Sequence, residues 1–174
     1  IANAGEDQHC ELPHDGIPGG SCEFVLNGSD SYDIDEDEFS YQWSSGGIGD
    51  LEYITISEDT EITLTVCDTY NECDIDNVYL TLSEPNQVPV AIIIASDTLY
   101  IDHNGLPNEG TTSTMLDGCN STDPDEADIL SYQWGSGETD CINDSGLLQE
   151  GSHTFSLTVT DPYGASNSVM KTLI

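Results

Sequence analysis

Ser40-Tyr41-Gln42-Trp43 and Ser131-Tyr132-Gln133-Trp134 are the same four residues met twice in one chain. Working outward, Leu64-Thr65-Val66-Cys67-Asp68 returns as Leu157-Thr158-Val159-Thr160-Asp161. Leu26-Asn27-Gly28 with Ser31 and Asp33 returns as Leu116-Asp117-Gly118 with Ser121 and Asp123, and Val78, Thr81 and Leu82 match Val169, Thr172 and Leu173. The matches keep their order at a spacing of about ninety residues, so the chain is two repeats of one small domain. Tandem modules build length more readily than they build one active site, which points toward a spacer, adhesive or fibre-forming role.

The apolar pattern inside each repeat has period two: Ile54 and Ile56; Ile62, Leu64 and Val66; Val78, Leu80 and Leu82; Phe155, Leu157 and Val159. No window carries a capped helical stripe, so the fold class is all-β. Short strands separated by Gly, Asp, Asn and Ser clusters fit two tandem immunoglobulin-like β-sandwiches. The boundary falls at Ser83-Glu84-Pro85-Asn86-Gln87-Val88-Pro89, giving domains 1–84 and 90–174 joined by a semi-rigid, proline-containing linker, 85–89. Tyr41 and Trp43, like Tyr132 and Trp134, alternate on a strand, as a tryptophan buried between sheets does, or an aromatic platform for carbohydrate.

The chain carries 34 acidic residues against one basic residue, Lys171, for a net charge of -33. No basic patch exists, which excludes nucleic-acid backbone recognition and electrostatic docking on anionic lipid. Such self-repulsion favours a medium with salt or calcium. No run approaches the length of a membrane helix, the longest apolar stretch being Val88 to Ala95 with a proline in it. The chain opens directly on strand-like sequence at Ile1, as a mature form or a fragment of something longer does.

Six cysteines, none in Cys-x-x-Cys spacing, indicate an oxidising, extracellular compartment. Fifteen pairings are open to six cysteines. Cys10 with Cys22, Cys67 with Cys73, and Cys119 with Cys141 keep every bridge inside one repeat, and Cys67 and Cys73 flank a hairpin turn. Sequons at Asn27, Asn120 and Asn143 make these the candidate glycosylation sites, with Thr111-Thr112-Ser113-Thr114 open to O-linked sugar.

The ordered motifs resemble the polycystic kidney disease (PKD) type of immunoglobulin-like domain, common in tandem arrays on microbial surface and secreted proteins. The first repeat offers Ala4-Gly5-Glu6-Asp7, the turn from Leu26 to Asp35, Tyr41-Gln42-Trp43, and Leu64 to Asp68. The second offers Pro89-Val90-Ala91, Asp97, the turn from Leu116 to Asp125, Tyr132-Gln133-Trp134, and Leu157 to Asp161. Both depart from the family after the tryptophan, with Ser44-Ser45-Gly46-Gly47 and Gly135-Ser136-Gly137 where many members have Asp-Phe-Gly-Asp-Gly. The resemblance implies a calcium ion at one end of each sandwich. Its ligands would be Asp7, Asp33, Asp35 and Asp68 in the first repeat and Asp97, Asp123, Asp125 and Asp161 in the second. An EF-hand is not the source of this spacing, because Glu38 replaces its glycine and Ser44 its closing glutamate.

No nucleophile elbow, Ser-x-x-Lys, His-Glu-x-x-His or phosphate loop is present, and His9, His14, His103 and His153 share no metal spacing. The expectation is therefore a non-enzymatic extracellular structural protein, a subunit of a surface fibre, pilus-like filament or adhesin stalk. Its partners would be itself, as a homopolymer, or neighbouring domains of a longer surface protein, with glycans as further ligands. With Lys171 as the one trypsin-type target, the chain suits long exposure. A leading strand of Ile1, Ala2, Asn3 and Ala4 could join protomers by donation into a neighbour's sheet. The alternative is an accessory module of a secreted hydrolase that engages polysaccharide or collagen.

Overall fold

The computed structural model describes residues 1–102, 105–106 and 109–174, so His103 lies outside the described residues. Among the described residues all eleven regular elements are strands. The chain divides into two compact units, Ile1–Pro13 with Gly19–Pro85, and His14–Pro18 with Asn86–Ile174. Asn86 and Gln87, expected in a linker, are hydrogen-bonded to Asp161 and Asp125 of the second unit, and Pro89 is fully buried there. His14–Pro18, expected in the first domain, belongs instead to the second unit because His14 bonds Asp128.

In the first unit β1 (Gln8–Glu11), β6 (Cys73–Ser83), β5 (Thr60–Asp68) and β3 (Phe39–Trp43) form one sheet in the order β1-β6-β5-β3. β2 (Cys22–Asn27) and β4 (Leu51–Ile56) pair antiparallel in the other. β1 runs parallel to β6, from Gln8 opposite Leu80 to Glu11 opposite Ser83. In the second unit β11 (Ser166–Leu173), β10 (His153–Thr160) and β8 (Ser131–Trp134) form a three-stranded sheet, and β7 (Met115–Asp117) pairs with β9 (Ile142–Asp144).

Most of the recurring residues have a packing reason. Trp43 and Trp134 are each 1% exposed, and their indole N–H groups donate to Gly49 O at 3.0 Å and Asp140 O at 2.9 Å. Buried this way, neither tryptophan is an exposed carbohydrate platform. Gly28 lies so close to the core that a Cβ there would sit 2.8 Å from Leu64 Cδ2, and at Gly118 2.6 Å from Leu157 Cδ2. The buried hydroxyls of Ser31 and Ser121 accept the amides of Asn3 and Ile92, each at 3.0 Å, and so hold the leading segment of each unit.

One expected match slips. The β5–β6 hairpin pairs Cys67 with Cys73 and the β10–β11 hairpin pairs Thr160 with Ser166, so Leu173 is the counterpart of Leu80, not of Leu82. Both leucines are buried, at 1% and 0% exposure. The slip is two residues, which keeps every side chain on its face and leaves the alternation unchanged.

Ile1–Ala4 is tied into its own unit. Tyr32 N–H donates to Ile1 O at 3.0 Å, Ala2 and Ala4 N–H donate to Asp74 and Asp76 at 2.9 and 2.8 Å, and Ala4 is 1% exposed. The segment expected to be offered to a neighbour thus already has its partners at home. Disulfides join Cys10 to Cys22, Cys67 to Cys73 and Cys119 to Cys141.

Candidate metal centre

The second unit gathers carboxylates at the end of its sandwich that holds the β10–β11 turn. Asp161 closes β10 and shapes that turn, with one oxygen accepting Ala165 N–H at 2.9 Å and the other accepting Asn86 Nδ2 at 2.9 Å. Asp123 shapes the turn before β8 through Asp125 N–H at 2.9 Å. Asp128, on the same turn, returns toward both, and ligand oxygens of Asp123, Asp128 and Asp161 lie within 4.8 Å of one another. Three carboxylates this close repel one another.

Three oxygens here are buried and have no partner among the described residues: Asn86 Oδ1, Asp123 Oδ2 and Asp128 Oδ2. An unsatisfied buried acceptor costs about 1–3 kcal/mol, more when charged. A carbonyl and carboxylates are the donor set of a hard divalent cation, and ligands on opposite sides of a calcium ion stand about 5 Å apart. The residues present therefore fit a calcium ion, which Asp123, Asp128 and Asp161 would hold together with Asn86, whose Nδ2 bonds Asp161.

Asp125 is differently placed. Its two oxygens accept Gln87 N–H and Nε2, each at 2.7 Å, and these bonds, with a smaller contribution from His14, hold its carboxyl below the usual range. Its bonds order the leading segment, and it groups with His14 and Asp128. The His14 ring packs on Tyr163 with centroids 4.5 Å apart.

Asp97 and Asp7 are not brought to the turn end. Asp97 pairs with Lys171 and accepts Ile174 N–H at 3.0 Å, at the opposite end of β11. Asp7 accepts Tyr79 N–H at 2.9 Å, six residues along β6 from Cys73, or about 20 Å at strand rise. The leading segments run away from the turns, so the aspartates that follow them reach the far end.

In the first unit Asp33 Oδ1 accepts Asp35 and Asp37 N–H at 2.8 and 3.2 Å, and Asp68 Oδ1 accepts Tyr70 and Glu72 N–H at 2.7 and 2.8 Å. These aspartates border a cavity of about 240 Å³ with Asp35, Glu72 and Asp74. Among the described residues no three acids of this unit come as close as the second unit's triad. Asn86 and Asp128 escaped the sequence reading; the spacing Asp123, Asp125, Asp128 in one turn was the available sign.

Of the sequons, Asn27 and Asn120 are exposed. Asn143 is 4% exposed and its Nδ2 donates to Ser136 Oγ at 3.1 Å, so burial removes it from the candidate glycosylation sites in the folded unit.

No protein-family model matches the chain. A stretch covering 51% of the chain is 40% identical over 100 residues to the dyslexia-associated protein KIAA0319 homolog of rat, and 36% identical over 98 residues to the KIAA0319-like protein of mouse. The matched stretch is 8% of the length of each relative. Among solved structures, titin domains Z1Z2 in complex with telethonin align over 97% of this chain and 91% of theirs, at 11% identity and a TM-score of 0.40. The fibronectin(III)-like modules of Clostridium thermocellum CbhA align over 100% and 93%, at 8% identity and a TM-score of 0.31. At those scores the likeness carries no argument, and the all-β, immunoglobulin-like architecture rests on the strands described above. No helix among the described residues is long and apolar enough to cross a membrane.

Proposed function

We propose that this chain is a non-enzymatic pair of extracellular immunoglobulin-like modules, stiffened by disulfides and by calcium, that serves as a stalk or filament segment of an adhesive surface protein. The observation that carries the reading is the convergence of Asn86, Asp123, Asp128 and Asp161 with three buried oxygens unpaired among the described residues. Calcium bound there ties the leading segment of the second unit to both of its turns. The three disulfides belong to an oxidising compartment. The strong negative charge keeps such modules soluble and apart from anionic surfaces.

Assembly by donation of Ile1–Ala4 is not part of this reading, because that segment's amides are engaged within its own unit. A polysaccharide-binding accessory module is disfavoured by the burial of both tryptophans.

Calorimetric titration with calcium, thermal unfolding with calcium or chelator, and electron microscopy under both conditions test the reading. One weak site, with Kd on the order of 10⁻⁴ to 10⁻³ M, stabilises by about 1.4 kcal/mol at ten times Kd. Absence of binding heat together with an unchanged Tm would sink it. Calcium-dependent filaments would identify a filament segment, and monodisperse particles with a shifted Tm a stalk.

A further inference from the structure

β2 and β4 pair only with each other, which leaves an outer edge on β4. Gly28 N–H donates to Asp50 O at 2.7 Å, so Leu26 with Glu52, Phe24 with Ile54 and Cys22 with Ile56 are the hydrogen-bonded pairs of this ladder. The main-chain groups of Leu51, Tyr53 and Thr55 therefore point away from β2, and they have no partner among the described residues. Leu51 is 44% exposed, Tyr53 is 73% exposed and Thr55 is exposed.

The corresponding edges of β3, β7 and β8 are covered. Trp43 N–H donates to Gly47 O and Trp43 O accepts Gly46 N–H, and Trp134 repeats this with Glu138 and Gly137, so a turn folds over the free side of β3 and of β8. The free side of β7 is bonded to Ile94. β4 has no proline, no lysine and no bulge in its ladder with β2, the features that keep an edge strand single. Its one charged residue, Glu52, turns back within its own unit. Glu52 Oε1 accepts Ser45 Oγ at 2.8 Å, and the carboxylate lies over Gly47, where a Cβ would stand 1.8 Å from Oε2.

The sequence around β4 selects its own copy as the occupant. When two copies pair antiparallel with Tyr53 facing Tyr53, Leu51 faces Thr55, Asp50 faces Ile56, Glu52 faces Ile54 and Glu58 faces Ile48. Every acid of residues 48–58 then meets an isoleucine. Each other antiparallel register that pairs the outward groups of Leu51, Tyr53 or Thr55 sets Asp50, Glu52 or Glu58 opposite one of these acids, and like charges directly opposite are destabilising. The Tyr53-centred register also engages all three residues of both copies, for about six main-chain hydrogen bonds. Tyr53 is the ladder partner of Val25, itself 47% exposed, so the pairing would lay one apolar row across four strands.

We propose that the β4 edge is a dimerisation site, pairing antiparallel with β4 of a second copy about a two-fold axis at the Tyr53 pair. The same patch serves both copies, so the contact is isologous and closes at two. The net charge of -33 on each chain opposes the approach. Pairing therefore strengthens as salt shortens the screening length from about 10 Å at 0.1 M to about 3 Å at 1 M.

The test is sedimentation equilibrium of the intact chain across that range of sodium chloride, with amide hydrogen exchange read by NMR on the same samples. A single monomer–dimer equilibrium should shift toward dimer as salt rises. Exchange at Leu51, Tyr53 and Thr55 should slow in step with the dimer fraction, while Glu52 and Ile54, already bonded to β2, stay unchanged. Tyr53→Pro removes an outward N–H without touching the β2 ladder, and should keep the fold and leave the chain monomeric. Tyr70→Ala removes a tyrosine of like exposure, 76%, from a turn and should dimerise as wild type does. A wild type that stays monomeric at about 1 mM protein in the highest salt, or growth beyond dimers, would overturn the proposal. So would slowing at residues other than the alternate three, a folded Tyr53→Pro that still dimerises, or loss of the dimer in Tyr70→Ala. The exchange pattern is read on the wild type and decides the matter even where the proline variant does not fold.

Discussion

Asp128 gives one carboxylate oxygen to His14 Nε2, 2.7 Å away, and holds the other buried with no partner among the described residues. Asp128→Asn is therefore expected to act with opposite sign in the two calcium states. In chelator it relieves repulsion with Asp123 and Asp161 and should raise the Tm of the second unit. With calcium it removes a ligand and should abolish the calcium-dependent gain. At about 4–8 °C per kcal/mol for a domain of this size, both changes lie within reach of differential scanning calorimetry. A variant that keeps the full calcium gain would remove Asp128 from the ligand set.

Trp43 faces Leu64 across the β3–β5 ladder as Trp134 faces Leu157 across β8–β10. Trp43→Ala removes the largest side chain of its core and orphans Gly49 O, so a loss of about 3–5 kcal/mol is expected. Trp43→Phe keeps most of the volume but not the hydrogen bond, and should cost less. Denaturant unfolding of both variants gives the order; equal losses would show that packing contributes little at this position.

The repeat, the all-β class, the buried tryptophans and the disulfide partners could all be read from the chain, because each depends on local alternation or short spacing. The register of β11 could not, since a two-residue slip moves no side chain to the other face. Asp128 and Asn86 were hidden for another reason. Among 34 acids a single aspartate carries little information, and their roles arise only when the turn folds back on the leading segment. Asp97 was misplaced because parallel pairing of the leading segment with the last strand carries it to the end away from the turn, beside Ile174.

The sequons separate by exposure. Secreted from a eukaryotic host, the protein is expected to carry glycan at Asn27 and Asn120 and none at Asn143, as peptide mass mapping after glycosidase treatment would read. Asn143→Gln should instead destabilise, by about 1–3 kcal/mol, because the buried amide bonded to Ser136 loses its geometry. Glycan at Asn143 would show that modification precedes folding of the second unit.

Asp74 anchors the leading segment of the first unit by accepting Ala2 N–H at 2.9 Å. That bond, then one from Ile75 N–H, holds its carboxyl below the usual aspartate range, with burial opposing. A depressed folded-state value means that the stabilisation is fully present above the unfolded value, about 3.9, and is lost as pH falls through the lower folded value. Protection of the Ala2 amide from hydrogen exchange should therefore persist at neutral pH and collapse only in acid below pH of about 3.9. Asp74→Asn should weaken that protection at neutral pH and remove its acid step. Protection unchanged in the variant would place the anchoring of Ile1–Ala4 on Ser31 and Asp76, which receive the amides of Asn3 and Ala4.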